Sequence, residues 1–91
     1  MCTYATVRIP LDGSAKGAGG SGSGWFGVTD GTVYFDHPVH AMAEHTLNID
    51  FADPAKGPGA RVAVELTAAS ARELVTAIEA ALQSAPPELL V

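Results

Sequence analysis

Residues 32–51, TVYFDHPVHAMAEHTLNIDF, decide how the rest of the chain is read. Both ends of the stretch alternate. Val33, Phe35 and His37 fall on one side of an extended chain, with Thr32, Tyr34 and Asp36 on the other. His45, Leu47, Ile49 and Phe51 alternate with Thr46, Asn48 and Asp50 in the same way. The pattern predicts two half-buried strands, at residues 32–38 and 45–53, joined by the segment PVHAMAE. A register opposing Phe35 to Leu47 and Val33 to Ile49 keeps all apolar side chains on one face. A slip of one residue would turn a whole set the wrong way. The same register makes His37 and His45 cross-strand neighbours, with Cβ atoms about 4.5–5.5 Å apart.

Working outward, CTYATVRIPL at residues 2–11 is rich in β-branched types and reads as a first strand. Its Ala5, Val7 and Ile9 share one face, and Tyr4, Thr6 and Arg8 the other. Residues 13–24 form a glycine- and serine-rich loop in which Gly17, Gly19 and Gly22 have the G-x-G-x-x-G spacing. That spacing carries meaning only where a helix follows and holds a pyrophosphate at its N-terminus. Here WFGVTDG follows, with no helical period, so the loop is read as a connector or lid. Trp25 and Phe26 at its foot would pin it to the core or wall a pocket, and Asp30-Gly31 is read as a turn.

Beyond the central stretch, the prolines and glycines of DPAKGPGA forbid regular structure. RVAVELT supplies a fourth strand, with Val62, Val64 and Leu66 inward. From residue 68, Ala71, Leu74, Val75, Ile78, Ala81 and Leu82 recur at the spacing of one helical stripe. Thr67 is the N-cap candidate, and Pro86-Pro87 ends the helix at residue 85. The tail ELLV is apolar and would be exposed in a monomer. The expectation is one domain over residues 1–91 with an α+β fold: a four-stranded, mostly antiparallel sheet with one C-terminal helix packed on one face.

Composition excludes several functions. The chain has net charge -5 and five scattered Lys and Arg residues, so no basic patch exists for nucleic acid or an anionic membrane. No apolar run approaches membrane-spanning length. MCTYATVRIP lacks the charged and apolar regions of a signal peptide, so a cytoplasmic location is expected. With a single cysteine, Cys2, no intramolecular disulfide can form. A core this small invites a metal or a second copy of the chain as additional support, and a homo-oligomer is expected.

All three histidines lie within nine residues, at 37, 40 and 45. His37 and His45 are paired by the register, and His40 in the connecting loop can fold over them. Three imidazoles with one open position make a metal site of catalytic type, with Cys2 as an outside candidate. Zinc is the default transition metal, and copper, iron and nickel also accept imidazole. The spacing H-x₂-H-x₄-H matches no specific metalloenzyme signature, and a strand end with solvated loop histidines reads equally from the residues. The opposite sheet face carries Thr6, Arg8, Tyr34, Asp36, Asn48, Asp50 and Glu65. A solvated antiparallel sheet has this composition, yet Tyr34 and Asn48, with Trp25 and Phe26 as an apolar wall, could hold a small molecule. No catalytic pair is singled out.

MCTYATVRIP, GWFGVTDGTVYFDHPVH and EHTLNIDF resemble a family of small actinobacterial proteins of unknown function, over nearly the whole chain and most densely at the histidine segment. The resemblance implies no activity. Two readings follow from the residues: a histidine-cluster metal protein, with the metal available to activate water for chemistry on a small molecule, or a non-enzymatic homo-oligomeric binding module using the polar sheet face.

Overall fold

A computed structural model describes residues 4–17 and 24–91. Four strands, β1 (Thr6–Lys16), β2 (Trp25–Asp36), β3 (Thr46–Ala52) and β4 (Arg61–Leu66), are followed by one helix, α1 (Ala68–Ser84). The strands pair antiparallel in the order β1-β2-β3-β4, a meander in which each strand lies beside its sequence neighbour. This is the expected α+β arrangement. Phe35 opposes Leu47 and Val33 opposes Ile49, the register dictated by the apolar face, and the ladder closes at Asp36 and Thr46.

The first hairpin is longer than the sequence suggests. Gly13–Lys16, read as loop, are the end of β1, and Trp25–Gly31, read as loop foot and turn, belong to β2. Gly31 pairs with Ile9 and Phe51, and its φ is not positive. Its lack of a side chain serves packing instead: a Cβ there would meet Leu11 Cδ1 at 2.8 Å. Pro10, expected to close the first strand, sits inside β1 because β1 is an edge strand, where a missing N–H need not break a ladder. Residues 18–23 of the expected loop lie outside the described residues.

The β1–β2 register slips between Pro10 and Gly13. An extra residue of this kind bends and twists a hairpin. Beyond it Phe26 and Val28 meet Ala60, and Leu11, Ala15, Phe51 and Val62 pack around them. The β3–β4 connection supplies Ala60 through its own turn. Buried Asp53 accepts a hydrogen bond from the Ala55 N–H at 3.3 Å, its N–H donates to the Ala60 carbonyl at 3.0 Å, and Gly57 takes φ 95°.

Helix α1 starts as expected: Thr67 Oγ1 accepts from the Ser70 N–H at 3.2 Å. It ends at Ser84, one residue short of the expected boundary, with Ala85 extended before Pro86. The helix touches β3 and β4. Its apolar stripe remains open: Leu74, Ile78 and Leu82 are 41%, 52% and 53% exposed. Among the described residues the buried apolar side chains are Phe26, Val28 and Ala60, so the core lies at the end of the first hairpin rather than under the helix. No helix among the described residues is long and apolar enough to cross a membrane.

Candidate functional site

The ladder puts Tyr34 beside Asn48 and Asn48 beside Glu65, so β2, β3 and β4 each give one polar side chain to the same row. Glu65 then organises what lies above it. The Val39 N–H donates to its Oε2 at 2.6 Å, and the His40 and Ala41 N–H groups donate to its Oε1 at 3.1 and 2.8 Å. Three consecutive backbone donors converge on one carboxylate, an arrangement that favours the charged form. Its pKa is accordingly held below the ordinary glutamate value by the Val39 and Ala41 bonds above all, with His40 adding to them. The connection between β2 and β3 is thereby fastened over the polar face of the sheet.

Between this connection and the strands lies a cavity of about 490 Å³, lined on its polar side by Tyr34, His40, Asn48, Asp50, Arg61 and Glu65. Arg61 Nη2 donates to Asp50 Oδ1 at 2.7 Å. The Tyr34 hydroxyl feels Asp50 as a nearby charge, and its pKa is raised, by burial first and then by that charge. Tyr34 therefore stays a neutral phenol in neutral solution. Asn48 is buried and held in place by Thr46, whose fully buried hydroxyl donates to Asn48 Oδ1 at 2.7 Å.

The histidines divide. The rings of His37 and His45 lie 4.3 Å apart between centroids, tilted by 33°, so the register brings these two together. His45 stacks on Phe35 at 5.7 Å, and Tyr4 meets both rings edge-on. His37 Nδ1 lies 3.0 Å from the Glu44 carbonyl oxygen. A carbonyl can only accept, so Nδ1 carries the proton of this bond. His40 does not fold over this pair. Its backbone bond to Glu65 draws it to the polar cavity. Among the described residues, no group of three or more His, Cys, Asp or Glu side chains comes together to hold a metal ion. Cys2 lies outside the described residues.

Of the residues expected to bind a ligand, Tyr34 and Asn48 share the polar cavity, and His40, expected as a metal ligand, joins them. Trp25 and Phe26 do not line it. Trp25 stands 53% exposed at the far end of the hairpin, and Phe26 is a core residue. The alternation that places Val62 and Val64 inward also sends Arg61, Ala63 and Glu65 to the polar face, which was the available signal for Arg61. The role of Glu65 had no such signal, because its partners are backbone groups of a loop without periodicity.

The model of the family DUF6295, described as a family of unknown function, matches residues 1–91. No curated protein and no solved structure matches the chain.

Proposed function

Starting from a chain that belongs to DUF6295, we propose that the protein is a binding module whose polar sheet face takes a small polar molecule carrying an anionic group. The cavity fastened by Glu65 over Tyr34, Asn48 and the Asp50–Arg61 pair carries this reading. Its volume of about 490 Å³ falls in the range of small-molecule sites. Arg61 gives one N–H to Asp50 from a group that carries five, and a guanidinium suits carboxylates and similar planar anions. His40 and the Tyr34 oxygen supply polar contacts at the rim and floor, and Val39 an apolar edge. Titration of isotope-labelled protein with a panel of small hydroxycarboxylates tests the reading. Amide shifts should concentrate at residues 39–41 and 61–65 and vanish in Arg61→Ala. A panel that leaves those amides unmoved would refute it.

The His37–His45 pair favours a second reading, a transition-metal site with zinc as the default ion. A metal-bound imidazole ordinarily donates its other N–H to a carbonyl or carboxylate, and His37 already does so to Glu44. Two imidazoles supply half of a tetrahedral zinc shell. Tag-free protein should then take up about one zinc ion per chain, and His37→Ala should abolish uptake. Protein that stays metal-free at stoichiometric zinc would remove this reading and leave the first untouched.

A further inference from the structure

The ladder gives one face of the sheet an unbroken apolar composition. Val7, Val33, Ile49 and Val64 form one row across all four strands, and neighbouring rows add Ile9, Phe35, Leu47, Phe51, Val62 and Leu66. None of these reaches full burial, and Val7 and Ile9 on β1 are 52% and 43% exposed. A helix is about 10–12 Å across with its side chains, whereas four strands at about 4.8 Å spacing make a wider face. One helix beside β3 and β4 therefore leaves β1 and β2 open. The helix is equally short of partners, with Leu74, Ile78 and Leu82 each at least 41% exposed.

The chain as a whole is also more open than a compact monomer of its size. The radius of gyration is 14.8 Å, against about 12 Å for a compact chain of this length. The accessible surface is 6742 Å², against about 5,000 Å² for a folded monomer of this mass. The surplus is about twice the roughly 800 Å² per partner that a stable interface takes.

We propose that this face and the α1 stripe form the interface of a twofold-symmetric homodimer, each helix lying between its own β3–β4 and the β1–β2 of the second copy. The occupant is a second copy because the two incomplete surfaces complete each other. A sheet face short of a helix and a helix short of a sheet face occur in one chain, which is what a self-complementary twofold contact requires. Among the described residues only Phe26, Val28 and Ala60 are buried apolar side chains, a small core that gains from a cover.

Light scattering on the purified full chain should give twice the 9.3 kDa chain mass at micromolar concentration. The thermal midpoint should rise with protein concentration, as it must when folding and association are linked. Ile9→Glu and Ile78→Glu alter side chains on different elements that are about half exposed in one copy. In a monomer both would be nearly neutral; in the dimer each should halve the mass or prevent folding. A folded wild-type monomer with a concentration-independent midpoint would overturn the proposal and point to a different chain or a lipid as the occupant. A dimer whose mass and midpoint survive both substitutions would overturn it too, by placing the interface elsewhere.

Discussion

Two apolar regions of this chain reach opposite ends. At the tip of the first hairpin, Phe26 and Val28 close against Ala60 with little help from regular periodicity. Along α1, a regular stripe of Leu74, Ile78 and Leu82 stays open. The difference shows that amphipathic pattern indicates which surface wants cover but not which cover it receives. The hairpin tip closes because a register slip and the Asp53-capped turn bring β1, β2 and the β3–β4 connection together. Helix α1 meets β3 and β4, and that contact leaves its stripe exposed in a single copy.

The contrast can be broken at its closed end first. Phe26→Ala should cost about 3–5 kcal/mol, the range for removing a buried aromatic side chain. Measured by urea denaturation, a loss below about 1 kcal/mol would mean the hairpin tip is not the core. A smaller effect is expected from Gly31→Ala. The added methyl must displace Leu11 Cδ1, which lies 2.8 Å from its position, with Ile9 Cγ1 at 3.2 Å. Overpacking of this kind costs about 1–3 kcal/mol, and the cost should sit toward the low end because Leu11 Cδ1 is the end of a flexible side chain. The double variant with Leu11→Ala should recover part of the loss relative to the sum of the singles, and strict additivity would show that Gly31 does not make room for Leu11.

The smallest global effect, and the most local one, is expected at Glu65. Its pKa is lowered in the folded chain, so its contribution is complete above the ordinary glutamate range and is lost as pH falls through the lowered value. Hydrogen exchange at the Val39, His40 and Ala41 amides should therefore accelerate in mild acid beyond the intrinsic pH trend. Glu65→Gln should accelerate it at neutral pH while leaving the β2–β3 ladder protected. Unchanged exchange at these three amides in Glu65→Gln would show that the connection is held by something else.

Local periodicity is enough to reveal the β2–β3 register, the Thr67 cap and the stop before Pro86, because each depends on side chains within a few residues or on a period-two face. The proximity of His37 to His45 follows from that register alone. The first hairpin was hidden by its own residues. Gly13, Gly27 and Gly31 within extended strands look like turns, and Gly31 is needed because Leu11 and Ile9 crowd the place of its side chain.

The division of the histidines was decided at greater range. Glu65 lies 24–26 residues from the amides it binds, and by holding them it moves His40 away from His37 and His45 and into company with Tyr34, Asp50 and Arg61. Sequence by itself determined the β2–β3 pairing, the faces of those strands and one pair of rings, since alternation and pairing are properties of neighbouring residues. Tertiary structure alone decided which polar groups share a cavity and how far the apolar face is covered, since both depend on a carboxylate meeting backbone donors from a distant loop and on the width of a sheet against that of one helix.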